Sequence, residues 1–524
     1  MKNIPGVALV EQSVSQRSKL FAYGLAVSLI GAMPLAGQDA GSPSGGSRRI
    51  AVGHWAYEAV RELRSAGYFQ GINPIVQPYR RIDLARGLRD LPTDLPGGRV
   101  AHWVKLLREE LRPEIERLDG GVGQTWGMNF QGAARASTSH RLDPLRPTGG
   151  GGIWPFYRLG AWVEKEWFVT ESGLMADLHL ADDPDGLNPG QRRLGRPDHA
   201  YVALDWSFGS VSLGRMERNW ALGGTKGLMV SDISSSYPQL GIEIRAGSFV
   251  LRSFSGELDT SGGRKKYLSA HRVDFESPDL VVSLGESVVY APENSGFSLR
   301  YLNPVHGVFF EIENEPTDVI ANLMLNPQLW LQLNSWTIFA DFLLDDFDWN
   351  PGTSGREATL YAVNLRLTRS DPGSSLRAGA EFRRVSAWAY RTPNIVDEYS
   401  FLGRGLGENF SDFDRFTVFA DFWPNVGGLR LTPQVIVQRQ GEGDFRDPIT
   451  DMTAYLASPG MFLGTVETTL RASLAGRYQP SRHFWVSWDF GRNWVRNADH
   501  VDGQRRSSWE GVMEIGVSAT IPKN

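Results

Sequence analysis

In this chain of 524 residues, Arg and Trp side chains grouped in one short segment are of types and spacing that could do chemistry. Arg215, Arg218 and Trp220 share one short segment, Gly214-Arg215-Met216-Glu217-Arg218-Asn219-Trp220. An indole face stacks on a pyranose ring, and guanidinium groups bond hydroxyls and uronate carboxylates. Arg272 and Glu286 lie in two strand-like segments further on, where they can pair with each other or contact a ligand. The same five residues also suit a blander role, as structural aromatics and charges that satisfy one another. Four carboxylates, Asp341, Asp345, Asp346 and Asp348, split by parity between two faces, whereas a hard cation needs oxygens converging on one point. No metal and no cofactor are expected.

Signatures of catalysis are missing from the sequence. It contains no His-Glu-x-x-His zinc helix, no Gly-x-Ser-x-Gly elbow and no Walker loop, and its nine histidines are scattered, with His271 and His306 beside the segments above. With no cysteine there is no thiolate nucleophile, no disulfide scaffold and no lipid-bearing N-terminal cysteine of the bacterial lipoprotein kind. Lys and Arg number 54 against 59 Asp and Glu, so no basic excess argues for nucleic acid. A non-enzymatic protein is the expectation.

Three kinds of segment must position these residues. Residues 1–37 read as an export signal: Arg17 and Lys19, then the uncharged run Leu20–Met33, then small residues at Pro34-Leu35-Ala36-Gly37. That apolar run, roughly 14 residues, is too short for a bilayer core of about 30 Å. Residues 38–49 form a flexible spacer, including Gly41-Ser-Pro-Ser-Gly-Gly-Ser47. Residues 50–120 carry helical periodicity, with Trp55, Ala59, Val60 and Leu63 on one stripe and Gly67 as the stop. A second helix starts at Arg80-Arg81, and a third spans Val100 to Leu118.

From residue 124 to 524 the period changes to two. Leu376, Ala378, Ala380 and Phe382 alternate with Arg377, Gly379, Glu381 and Arg383. Phe416, Val418, Ala420 and Phe422 alternate with Arg415, Thr417, Phe419 and Asp421, and Leu174, Ala176, Leu178 and Leu180 with Met175, Asp177 and His179. The stretches His483–Phe490 and Met513–Ile521 behave alike. A soluble sandwich also alternates. Ionic residues on the polar face, small residues among the apolar ones, and aromatics such as Trp336, Trp388, Tyr390, Trp423 and Trp494 at run ends favour a membrane barrel with interfacial girdles. The fold class expected is mainly β: a large antiparallel transmembrane β-barrel of about 16–18 strands with a small N-terminal α-helical periplasmic module. A chain of 58 glycines and 17 tryptophans with a mean hydropathy of −0.28 suits it, since half of each strand faces water and half lipid. Its C-terminal Ile521-Pro-Lys-Asn524 lacks the aromatic last residue common in such barrels.

Two resemblances follow from particular residues. His54-Trp55-Ala56, Ala59-Val60, Leu63, Gly67, Gly71, and Arg81 with Leu84-Ala85 resemble a single S-layer-homology motif, with Arg80-Arg81-Ile82-Asp83 departing from the usual second helix. That resemblance implies binding of a peptidoglycan-linked cell-wall polymer, through His54, Trp55 and Arg81; the alternative is a bundle that packs on whatever follows. The stretch 209–349 resembles the Wzi family of capsule-assembly proteins. Its cues are Gly214-Arg215-Met-Glu-Arg218-Asn-Trp220 with Gly223-Gly224, Leu228 and Ser231, and His271-Arg272-Val-Asp-Phe275 with Leu284-Gly285-Glu286-Ser287. Further cues are Leu299-Arg-Tyr301-Leu302-Asn303-Pro304 with Asn322 and Leu325, and Phe342-Leu-Leu-Asp345-Asp346-Phe347. This resemblance implies an outer-membrane barrel of about 18 strands that acts as a lectin in attaching capsular polysaccharide.

Taken together, the expectation is a monomer exported to the bacterial outer membrane. Its partners would be capsular or other surface polysaccharide, outer-membrane lipid and a peptidoglycan or cell-wall polymer, with no nucleic acid. A porin-like channel tethered through the N-terminal module is the alternative.

Overall fold

The computed structural model describes residues 46–523 apart from 96, 122–125, 187–194, 294–297, 304–306, 308–319, 346–359, 372, 425 and 451–461. The export signal and most of the spacer lie outside the described residues, as do Pro304, His306, Asp346, Phe347 and Asp348.

The alternating segments build one antiparallel sheet of 18 strands. Its first strand, Trp126–Ser137, pairs with its last, Arg505–Lys523, so the sheet closes into a barrel without an edge. Closure leaves every strand paired on both sides, as a lipid environment requires. Period two then sorts the side chains. Outward positions are exposed and apolar: Leu213 and Leu284 are each 63% exposed and Ile521 69%. Inward neighbours such as Arg377, Arg383, Asp421 and Arg471 are buried and ionic. This is a transmembrane barrel of the outer-membrane type, with lipid outside and a polar lumen.

Its two ends differ. At one end, connections are short, such as residues 207–208, 247–248 and 334–335. At the other, segments 138–151, 217–236 and 386–412 are long. A small ribbon, Ser400–Phe401 with Arg404–Gly405, forms within the last of these.

Four helices precede the barrel: α1 (Ala56–Ser65), α2 (Arg81–Arg89), α3 (Arg99–Glu110) and α4 (Arg112–Leu118). Their apolar stripes meet in one core of Trp55, Ala59, Val60, Leu63, Leu84, Leu88, Trp103 and Leu107. The single helix expected over Val100–Leu118 is broken at Leu111. Pro113 explains the break, since it lacks an N–H and its ring clashes with the preceding turn. This helical unit docks on the short-turn end. Arg64 donates to the Pro278 carbonyl at 2.7 Å, Arg99 to the Asp371 carbonyl at 3.0 Å, and His102 Nε2 to the Gln479 carbonyl at 3.0 Å. It also reaches the wall, where the buried Glu62 pairs with Arg377, and Glu58 pairs with Arg430.

Two expectations need correction. The alternation from Leu174 does not continue as strand, because the strand Phe168–Asp177 ends and Leu178–Ala181 is a 3-10 turn capped by the Asp177 carboxylate. Trp336 and Trp494 face outward as interface residues, but Trp423, Trp388 and Tyr390 are buried. The guanidiniums of Arg99 and Arg377 cover Trp423, and Tyr390 turns into the lumen, its hydroxyl donating to the Leu228 carbonyl at 2.6 Å.

Candidate functional site

The long connections do not stand away from the barrel; they fold into its mouth. Buried carboxylates on the wall hold them there. Asp341 accepts from the Leu228 N–H at 3.1 Å and from Asn326 Nδ2 at 2.7 Å, and Asp345 accepts from the Tyr390 N–H at 2.6 Å. Beneath them, Trp220, Leu228, Met229, Tyr237, Phe254, Tyr390, Tyr399 and Phe401 form an apolar core inside the lumen. Asp341 and Asp345 therefore act as anchors for loop backbone.

Between the infolded loops and the wall lies a cavity of about 530 Å³, lined by Arg135, Arg141, Arg146, Lys226, Arg383, Arg404 and Arg415 and by Asp143, Asp177, Asp185, Glu217, Asp232, Glu381 and Glu408. Most charges are matched in pairs: Arg141 with Asp185 at 2.8 Å, Arg383 with Glu408 at 2.7 Å, Lys226 with Asp232 at 2.5 Å, and Arg404 with Asp183. Glu217 differs. Burial, with the Asp198 and Asp232 carboxylates nearby, raises its carboxyl to about 7. Phe410 offers an aromatic ring, though the Arg146 guanidinium lies over it at 4.1 Å.

A second cavity, of about 520 Å³, lies deeper, between α1 and the wall. Glu58 and Arg61 of α1 face Arg366, Asp421, Arg430, Arg471 and Arg477 across it. Both cavities touch Asp143, Gly224, Thr225, Lys226, Asp232, Glu381 and Arg415, which form the neck between mouth and plug. Such a lumen can bond hydroxyls and carboxylates along its length.

The residues singled out in the sequence take varied positions. Trp220 is 1% exposed, edge-on to Phe254 with ring centroids 5.4 Å apart. Arg218 lies over the other side of that core, 4.9 Å from the Phe254 centroid, and bonds Gln239; burial lowers its guanidinium to about 10. Arg272 lies 5.6 Å from the Trp220 centroid and pairs with Asp274 at 2.6 Å, while donating to Gln328 at 2.7 Å. These three come together beneath the infolded loop. Arg215 shares a strand face with the exposed Leu213 and donates to the Ser236 carbonyl at 2.7 Å. Glu286 meets His271 at 3.2 Å and is not the partner of the buried Arg272, whose charge Asp274 takes instead.

In the helical unit, Trp55 stacks on Trp103 with centroids 6.1 Å apart, and Arg81 is held by Glu114 at 2.6 Å and Glu110 at 2.7 Å. His54 borders both the deeper cavity and a small one beside it. Burial lowers its imidazole to about 4. The cavity residues of the loops, Asp143, Arg146, Lys226, Asp232 and Glu408, were not singled out in the sequence. They sit in aperiodic segments, so only their charge marks them.

No family model and no curated protein sequence matches the chain. Among solved structures, one similar to it is Wzi of Escherichia coli, described as an outer membrane protein involved in group 1 capsule assembly and a carbohydrate-binding β-barrel. The likeness has a TM-score of 0.61 at 10% identity and covers 90% of this chain and 99% of that one. OccAB4 of Acinetobacter baumannii aligns with a TM-score of 0.45 at 11% identity, over 76% of this chain and 99% of that one. At 10% identity the property shared with the Wzi structure is the fold, that of an outer-membrane barrel.

Proposed function

We propose that this outer-membrane barrel holds surface polysaccharide at its long-loop end, as a lectin without covalent chemistry, and that the helical end faces the periplasm. The short connections at the helical end fit the periplasmic side of such barrels. The observation that carries the reading is the pair of polar cavities behind infolded loops, with ionic groups spaced along a path from mouth to plug. Cavities of this kind bind a chain of hydroxylated, acidic sugars by many charge-assisted hydrogen bonds. The carbohydrate binding described for the Escherichia coli barrel of like fold supports it.

Deleting the gene tests this reading by staining for cell-attached and shed polysaccharide: the attached fraction falls and the shed fraction rises. Unchanged attachment contradicts it. In vitro, Lys226→Ala with Arg404→Ala weakens retention on immobilised polysaccharide, because both cations line the mouth cavity. The tethered-channel reading draws on the contact between the two cavities, but the helical unit fills the short-turn end. A steady ion current through wild-type protein in a planar bilayer would favour that second reading.

A further inference from the structure

The outer wall carries a charge pattern that the lumen reading does not use. On the hairpin formed by Phe484–Arg496 and Arg505–Lys523, the outward face runs from Met513, Ile515 and Val517 up to Phe490 and Trp494. With a rise of about 3.3 Å per residue and a tilt of about 40°, Trp494 stands roughly 25 Å above Phe484, the height of the apolar band. Trp494 and Trp509 therefore mark the outer interface, where such rings gather.

At that level three arginines point outward. Arg496 and Arg505 are cross-strand partners, and Arg492 is the partner of Trp509. Arg492 lies over the rings of both Trp494 and Trp509, 5.6 and 5.9 Å from their centroids, and its Nε donates to Ser507 Oγ at 3.0 Å. Among the described residues none of the three forms an ion pair. The nearby carboxylates Asp499 and Glu467 are committed to Arg506, at 2.8 and 4.0 Å. Like charges directly opposite on a sheet repel. Arg496 beside Arg505 is a cost that an anion between them turns into a bidentate clamp.

We infer that this hairpin is a binding site for a phosphorylated membrane lipid of the outer leaflet. Its phosphate groups are held by Arg492, Arg496 and Arg505, and its acyl chains lie along Phe490 and Met513. The occupant is a lipid rather than a soluble anion because the clamp sits directly above an exposed apolar wall. There the stacked Phe490 and Trp509, 5.3 Å between centroids and 7° apart, face hydrocarbon and headgroup.

Native mass spectrometry of the full chain in maltoside micelles tests this, with lipid A, its phosphate-free form and inorganic phosphate as probes. Wild type retains lipid A, and Arg492→Gln with Arg496→Gln and Arg505→Gln lowers its occupancy about tenfold, equivalent to about 1.4 kcal/mol. The triple lysine variant, which keeps the charges, retains most of the lipid. Heat-dependent gel mobility checks that each variant remains a closed barrel. Equal retention by wild type and the glutamine variant overturns the site. Equal retention of the phosphate-free lipid, or displacement of lipid A by millimolar inorganic phosphate, overturns it as well.

Discussion

The two ends of the barrel are closed by different means. At the short-turn end a helical unit brings its own apolar core and is joined to the wall by buried ion pairs, Glu62 with Arg377 and Glu58 with Arg430. At the long-loop end the described residues form no such unit. Loops turn inward, share the lumen core and hang by their backbone from Asp341 and Asp345. The first closure is a folded body with paired charges. The second is a set of separate tethers around polar cavities.

The sharpest way to break this contrast is Glu62→Ala. Arg377 and Arg99 both converge on that buried carboxylate; removing it leaves Arg377 to Asp421 and takes the carboxylate from Arg99, at a cost of about 3 kcal/mol, the low end for breaking a buried pair. The helical unit should loosen from the wall while the strands persist. Protease should then cut within residues 50–120, and planar bilayers should show a larger current than wild type. A variant as closed as wild type would mean that the helical core alone seals the end.

Asp345→Ala should act at the other end and more weakly. It leaves the buried Tyr390 N–H without its acceptor, at a cost of about 1–3 kcal/mol. Hydrogen exchange should rise in segment 386–412 and stay unchanged in α1–α4. Equal loosening at both ends would show one cooperative closure instead of two.

The sequence spoke clearly wherever a single period governs a side chain. Leu376–Arg383 and Phe416–Phe422 assign each residue to lipid or lumen correctly, because every strand faces the same two solvents. The length of 124–524 at the usual residues per strand gave about 16–18 strands, and the barrel has 18. The helical stripe of Trp55, Ala59, Val60 and Leu63 was equally legible. What stayed hidden depends on partners far along the chain. Glu62 and Arg377 are more than 300 positions apart, so nothing local shows that the helical unit reaches into the lumen. Trp388, Tyr390 and Trp423 looked like girdle aromatics because composition alone does not tell an interface from a loop that turns inward. The charges of the mouth cavity lie in loops with no period to read.

The smallest effect expected separates the ends by sign. His54 faces the helical end with its folded imidazole lowered to about 4, against about 6.5 unfolded, because burial opposes its charge. Its contribution is complete above about 6.5 and is lost as pH falls through 6.5 towards 4. Glu217 lies at the mouth, its folded carboxyl raised to about 7 from the ordinary 4.5 of a free glutamate. Its contribution is complete below about 4.5 and is lost as pH rises towards 7. Both side chains keep some solvent contact, so each effect should reach only about 1 kcal/mol. Hydrogen exchange from pH 4 to 8 should therefore show the segment around His54 opening on acidification and the segment 217–236 opening on alkalinisation. Glu217→Gln should flatten the second trend alone, since glutamine has no proton to lose. A parallel drift of both segments, or a Glu217→Gln chain that keeps the wild-type trend, would assign the pH response to the barrel as a whole.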